Sequence, residues 1–221
     1  MLEHEAGRRA PGAPGGLAGR FLAQFGGPAG LLGSVAGWLM ARRNGPTNEW
    51  MVELLDVRAD DSVLDVGCGP GRGVEAAAAH ATEGFVAGLD KSEVMVRQAT
   101  GRNRAVIDRG RAEVRQGDAL SMPYPDGRFT KAGTVNSVAF WPSAERGLAE
   151  LRRVLAPGGR VAVVLRARRD GAGRFDRTRY GAPPELIDQL ERLLQAAGFQ
   201  EVHRLQRVCG GELHWALVAQ R

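Results

Sequence analysis

Short apolar runs alternate with longer amphipathic segments along the chain from residue 46 onwards. Unbroken apolar runs of this kind are typical of buried β-strands, and spacings of three and four residues between apolar positions are typical of helices. The runs predict strands at 62–66, 85–89, 112–116, 129–135 and 161–165. Helices are predicted at 72–80 and 91–100, with a short one around Met51, Leu54 and Leu55.

The C-terminal third continues the alternation and then changes to β-rich sequence. Ser143, a residue type that caps helix N-termini, precedes a segment with Leu148 and Leu151 on one face, and Pro157-Gly158-Gly159 ends it. A last helix begins at 183–184 and ends at Gly198. Two β-rich runs at 201–208 and 213–219, separated by two glycines, predict a hairpin. The order predicts an α/β fold, a doubly wound and mostly parallel sheet with helices on both faces.

The first fifty residues differ from this body. We expect a flexible tail over residues 1–20, which are rich in Gly and Pro without apolar periodicity, and a helical cap over 21–50. The stretch 21–41 carries no charge. Three interpretations remain for it: a helix that covers the core of the domain, one that also touches a membrane surface or lipid-like ligand, and a transmembrane anchor. Its five glycines and one proline favour the first. The main domain is expected over 51–221.

The amino-acid composition excludes only a few classes of protein. The chain has 221 residues, enough for one full core, and its two cysteines exclude a disulfide scaffold and a Cys-rich zinc site. We expect no metal, and a cytoplasmic location fits the low cysteine content. Only Lys91 and Lys131 among its 30 basic residues are lysines. This arginine bias is compatible with a GC-rich genome or with a nucleic-acid surface.

Candidate chemistry begins in the glycine-rich stretch between the first strand and the first helix, Asp65-Val-Gly-Cys-Gly-Pro-Gly-Arg-Gly73. A dinucleotide fingerprint requires G-x-G-x-x-G/A, but the sixth position is Arg72 when counted from Gly67 and Val74 when counted from Gly69. A phosphate loop ending in Gly-Lys-Ser/Thr is also absent from this stretch. Alternating glycines still allow the backbone to approach a ligand closely.

The run V-L-D-V-G-C-G-P-G resembles the first motif of class I S-adenosylmethionine (SAM) methyltransferases. The resemblance implies that Asp65, Gly67, Cys68, Gly69 and Gly71 lie at the methionine part of the cofactor. It covers about 50–165 by motif, including R-V-L-A-P-G-G at 153–159, and 183–221 by element order. It implies the strand order 3-2-1-4-5-7-6 with the last strand antiparallel. The branch it resembles most includes quinone C-methyltransferases.

Further positions carry over from the same family, each at the end of a strand. Asp90, followed by Lys91, is expected to accept hydrogen bonds from the ribose hydroxyls, and Asp118 and Ala119 to meet the adenine. Asn136 follows the fourth strand and completes the expected cofactor site. SAM would be the methyl donor and S-adenosylhomocysteine the product.

The sequence says less about the residues that would contact the methyl acceptor. Many relatives carry a histidine after the fourth strand, where this chain has Ala139-Phe140-Trp141, and we identify no general base or other catalytic residue. His4, His80, His203 and His214 are placed elsewhere by the predicted elements. We expect Phe140, Trp141, Arg166 and Tyr180 on the substrate side.

Three functions fit the sequence. The favoured one is methylation of a small, apolar or amphipathic molecule at an O, C or N atom. Arginines crowded into residues 166–179 favour RNA or DNA methylation, but Asp170 and Asp176 interrupt them and few aromatic residues are interleaved. A non-catalytic SAM-binding protein is the third. The sequence predicts no oligomeric state.

Overall fold

A computed structural model describes residues 44–169, 171, 178 and 181–221. Seven strands in these residues form one sheet in the order β3-β2-β1-β4-β5-β7-β6. Strand β7 is antiparallel to β5 and β6, and the other neighbours are parallel. The predicted fold class and strand order are confirmed. The strands are β1 Ser62–Val66, β2 Phe85–Asp90, β3 Ala112–Gln116, β4 Phe129–Val135, β5 Leu155–Arg166, β6 Gln200–Cys209 and β7 Glu212–Gln220.

Helices connect the parallel strands and cover both faces of the sheet. They are α1 Gly45–Leu55, α2 Arg72–His80, α3 Glu93–Arg102, α4 Arg104–Ile107, α5 Ala144–Val154 and α6 Pro184–Ala196, with a 3₁₀ helix at Val138–Phe140. One apolar cluster joins the sheet to α1, α2 and α3, and a second joins it to α5 and α6. In β1, Val63 belongs to the first cluster and Leu64 to the second. Because both faces are buried, β1 is mainly apolar, and Asp65 is its one buried charged residue.

Helix α4 and the start of strand β5 differ from the prediction. Helix α4 was not predicted, because it is four residues long and buries none of them. Strand β5 begins at Leu155 rather than at 161, and Leu155 pairs with Phe129 before a register shift in β4. The Pro-Gly-Gly sequence therefore lies within β5, where Gly158 adopts a φ of 74°.

Helix α1 lies across the boundary predicted at residues 50–51. Its Thr47 hydroxyl is 3.3 Å from His214 Nε2 in β7, and the Arg207 guanidinium of β6 lies 5.4 Å from the centre of the Trp50 ring. The tail at 1–20 and residues 21–43 of the expected cap lie outside the described residues. No helix within residues 44–169 and 181–221 has the length and apolarity that a bilayer crossing requires.

Candidate cofactor-binding site

The predicted site residues come together because neighbouring parallel strands end at one edge of the sheet. Asp65 in β1 lies opposite Gly88 in β2 and Gly133 in β4. The glycine-rich loop, residues 67–73, follows β1 directly, Asp90 ends β2, and Asn136 follows β4. Ligands of open α/β sheets bind at this carboxyl edge, next to the point where strand order reverses, which here lies between β1 and β4.

The glycine-rich loop is fastened to β2 by its backbone. The amides of Gly67 and Cys68 both donate to the carbonyl of Leu89, at 2.7 and 3.0 Å. The amide of Gly71 donates to the Cys68 carbonyl at 3.0 Å, which turns the chain into α2. The Cys68 thiol is buried against Gly88, and burial raises its pKa, so only its backbone is available to a ligand.

Three of the four loop glycines pack against protein, and one does not. A Cβ at Gly67 would lie 2.0 Å from Ser137 Oγ, one at Gly71 2.8 Å from Ala99 Cα, and one at Gly73 2.2 Å from Asp65 Oδ2. A Cβ at Gly69 would have no atom within 4 Å among the described residues beyond its chain neighbours. Gly69 has a φ of 52°, and its backbone forms the part of the loop that a ligand can approach.

Asp90 links the loop to the start of α3. Its Oδ2 accepts a hydrogen bond from the Gly69 amide and its Oδ1 from the Ser92 amide, both at 2.8 Å. Burial raises the pKa of the Asp90 carboxyl, and these two N–H groups oppose that change. Each oxygen keeps a second lone pair, so the carboxylate can accept a pair of hydroxyl groups from a ligand.

Asp65 lies beneath the loop and is 1% exposed. Its Oδ2 has no hydrogen-bond partner within the described part of the chain, and it borders Gly73 together with the side-chain oxygen of Asn48. Burial, and secondarily the nearby charge of Asp90, raise the pKa of Asp65 to about 7. A buried carboxyl with an unpartnered oxygen next to a second carboxyl is electrostatically complementary to a cation.

Asp118 continues the same edge beyond β3. Its Oδ1 accepts the Leu120 amide at 2.9 Å, which shapes a tight turn, and the preceding Gly117 donates its amide to the Asp90 carbonyl at 3.0 Å. Ala119, in the same turn, is half-buried. Lys91 is exposed, and its carbonyl accepts a hydrogen bond from the Gln116 side chain. Asp90 and the turn at Asp118 are therefore joined through the backbone.

Asn136 and Arg166 stabilise each other at the ends of β4 and β5. Asn136 has a φ of 54°, a left-handed conformation that asparagine tolerates better than most residues. Its Oδ1 accepts the Arg166 amide at 2.7 Å, and its buried Nδ2 has no hydrogen-bond partner among the residues that the structure describes. The Arg166 guanidinium donates to Glu212 in β7 at 2.6 Å. Arg166 is thus held by an ion pair.

Of the other residues predicted for the substrate side, the structure describes Phe140 and Trp141. Phe140 is 58% exposed, whereas the Trp141 ring is half-buried and lies on Gly147 of α5. Tyr180 lies outside the described residues.

The histidines are spread over the fold. His4 lies outside the described residues, His80 ends α2, His203 is exposed in β6, and His214 is buried against Thr47. None of the described histidines lies on the loop residues or Asp90.

Two further side chains hold the glycine-rich loop. The buried Asn103 amide donates to the carbonyls of Gly71 and Ala99, at 3.0 and 2.9 Å. Ser137 Oγ packs against Gly67. Asn103 follows the predicted end of a helix and Ser137 follows a strand, so neither position carries a local sequence signal that distinguishes it from an ordinary surface residue.

Strand order, the glycine-rich loop after β1 and the acid that ends β2 define the class of SAM-dependent methyltransferases. Comparison with known proteins agrees with this. Residues 63–159 match a family model described as a methyltransferase domain. The chain therefore carries a SAM-dependent methyltransferase domain over these residues.

Relatives extend the similarity beyond the motifs. An uncharacterized methyltransferase, YdaC of Bacillus subtilis, is 29% identical over 168 residues, 76% of this chain and 87% of that protein. The 27-O-demethylrifamycin SV methyltransferase of Amycolatopsis mediterranei is 35% identical over 111 residues, 50% of this chain but 40% of that one. A solved structure of a SAM-dependent methyltransferase from Aquifex aeolicus covers 80% of this chain and 92% of its own, with a TM-score of 0.64 and 21% identity, and so shares its fold.

Proposed function

We propose that this enzyme transfers the methyl group of SAM to a small, apolar or amphipathic molecule, and that the carboxyl edge of β1, β2, β3 and β4 holds the cofactor. The observation that carries the proposal is the Asp90 carboxylate. It is fixed by the Gly69 and Ser92 amides and keeps lone pairs for two adjacent hydroxyl groups. A ribose presents such a pair.

The rest of the edge fits the other parts of SAM. The open backbone at Gly69, together with the loop residues Gly67, Cys68 and Gly71, would border the methionine part. Asp65 beneath the loop supplies negative potential for a cationic ligand. Asp118 and Ala119 would meet the adenine, and Lys91 would border the ribose. The unpartnered Nδ2 of Asn136 is a donor at the end of β4.

When bound, SAM supplies a methyl group that its positive sulfur already activates. The chain therefore mainly has to orient the two reactants and exclude water. The glycine-rich loop and Asp90 fix the donor side, while Asn136 and Arg166 fix the ends of β4 and β5. Among the described histidines, His214 lies opposite Arg166 in the β5–β7 ladder, but its ring is buried against Thr47 and its Nδ1 is 2.9 Å from the Glu212 carbonyl. We therefore assign no general base.

A small apolar acceptor fits the surface around this edge. Phe140 follows β4, Leu213 begins β7 next to the end of β5, and Val208 pairs with Leu213 in the hairpin. These three side chains are 58%, 41% and 65% exposed. The Arg166 guanidinium is paired with Glu212 rather than presented to a phosphate backbone. The relative that acts on demethylrifamycin SV supports a small-molecule acceptor by analogy.

Titration of SAM and of S-adenosylhomocysteine by calorimetry tests the cofactor site. We expect Asp90→Ala to weaken both affinities at least tenfold, because a hydrogen-bonded carboxylate is worth about 1.5–3 kcal/mol. Asp118→Ala should weaken them less. Asp108→Ala is a matched control, since Asp108 is an exposed acid paired with Arg104 at 3.5 Å. Unchanged affinity in both Asp90→Ala and Asp118→Ala would contradict the assignment.

The acceptor is identified separately. Reaction of the enzyme with methyl-labelled SAM and whole-cell extract, followed by mass spectrometry of the small-molecule and nucleic-acid fractions, should give a labelled small molecule whose yield falls strongly with Asp90→Ala. Labelled RNA or DNA in place of a small molecule would refute the acceptor class while leaving the cofactor site intact.

A further inference from the structure

The turn between β4 and α5 is tied together by one indole. Trp141 lies flat on α5, where a Cβ on Gly147 would come within 2.2 Å of a ring carbon. Its Nε1 donates a hydrogen bond to Ser137 Oγ at 3.0 Å. The two residues enclose the 3₁₀ helix Val138–Phe140, in which Val138 is buried and Phe140 is exposed. The indole therefore fixes both ends of the segment that presents Phe140.

Ser137 also touches the glycine-rich loop. Its Oγ and Cβ would lie 2.0 and 2.5 Å from a Cβ on Gly67, so the Gly67 backbone and the serine side chain are in direct contact. Gly67 is in turn fastened to Leu89 through its amide. One side chain thus contacts the predicted donor side through Gly67 and the predicted acceptor side through Trp141.

We propose that Ser137 is a positioning residue that couples the glycine-rich loop to the segment 138–141, so that binding of SAM sets the position of Phe140 and Trp141. This rests on the proposed function, because it requires the loop to contact SAM. The contact at Gly67 leaves no room for independent movement. A ligand that shifts or fixes the loop must therefore act on Ser137.

The hydrogen bond carries the coupling from the loop to the indole. Ser137 Oγ accepts the Trp141 N–H, and its position is limited by Gly67 on the other side. Movement of the hydroxyl therefore changes the environment of the indole. Because a coupling free energy between two sites is reciprocal, bound donor should favour binding of the acceptor around Phe140 and bound acceptor should favour the donor.

Tryptophan fluorescence during titration with S-adenosylhomocysteine tests the coupling without an acceptor or turnover. The chain has four tryptophans, and we expect a saturable change that Trp141→Phe abolishes. In Ser137→Ala, calorimetry should show binding within about tenfold of the wild type, while the fluorescence change falls by more than half. Ser143→Ala is the matched control, since that serine caps α5 by accepting the Arg146 amide and does not contact the loop. It should leave affinity and fluorescence unchanged.

The outcomes separate this inference from the cofactor assignment. A full fluorescence change in Ser137→Ala, or one that persists in Trp141→Phe, overturns the coupling even if Asp90→Ala abolishes binding as expected. Absence of calorimetric binding to the wild type overturns the proposed function and the coupling together. If Ser137→Ala melts far below the wild type, the affinity of Trp141→Phe for S-adenosylhomocysteine tests the coupling instead. This variant keeps an aromatic ring on Gly147 but loses the indole N–H group, so its affinity should fall about two- to tenfold. An unchanged affinity contradicts the coupling.

Discussion

The buried carboxyl of Asp65 makes a prediction about stability. Its pKa is raised from 3.8 to about 7 in the folded protein, chiefly by burial. Between these two pH values the folded chain holds a proton that the unfolded chain has released, so the free energy of unfolding falls as pH rises from about 4 to about 7. At about 1.4 kcal/mol for each pH unit, the loss approaches ~4 kcal/mol and is complete above pH 7.

The substitution Asp65→Asn removes this titration and keeps the shape of the side chain. An amide at this position can donate towards the side-chain oxygen of Asn48, as the protonated acid can, so we expect little difference in stability near pH 4. At pH 8 the variant should be more stable than the wild type, by up to ~4 kcal/mol.

Urea unfolding of both proteins across pH 4.5–8.5 measures this difference, and groups that titrate equally in both cancel. Asp108→Asn is the control, because Asp108 is exposed, and its difference from the wild type should be flat with pH. If the difference for Asp65→Asn is also flat with pH, Asp65 does not carry a proton in the folded protein near pH 6 and the electrostatic account is wrong.

Two further predictions concern the glycine-rich loop. Gly69→Ala should fold with a small loss of stability, about 1–2 kcal/mol for the left-handed backbone, but bind S-adenosylhomocysteine at least tenfold more weakly, because its Cβ enters the open space. Gly71→Ala should instead lower the melting temperature, since its Cβ would overlap Ala99. Gly67→Ala should be destabilised both by overlap with Ser137 and by its left-handed φ of 70°, and adding Ser137→Gly should recover the part of that loss that the overlap causes in thermal melts. No recovery would show that the contact is not the cause.

Burial decided which elements the sequence could predict. Strand β1 carries buried apolar residues on both faces, so its position followed from the residues alone, and α2 and β3 were also predicted at their observed bounds. Helix α4 buries no residue and left no pattern. The start of β5 at Leu155 depends on pairing with Phe129, which is distant in sequence.

The site shows the same division. Asp90 and the loop glycines could be predicted from the family resemblance together with their place at the ends of strands. The bonds from Asn103 to the Gly71 carbonyl and from Trp141 to Ser137 join residues whose proximity arises only from packing. The open space at Gly69, which distinguishes it from its three neighbours, is likewise a property of the folded loop.

The charge of the site explains why a glycine-rich loop here suits a cation rather than a phosphate. The start of α2 presents backbone N–H groups and a positive dipole end, which in many α/β proteins bind an anion. In this chain Asp65 and Asp90 flank that position, and burial first, with the charge of Asp90 second, raises the pKa of Asp65. A pyrophosphate would add negative charge beside two carboxyl groups, whereas a sulfonium and an ammonium group would relieve their repulsion. The departure from the dinucleotide fingerprint and the paired acids therefore point to the same kind of ligand.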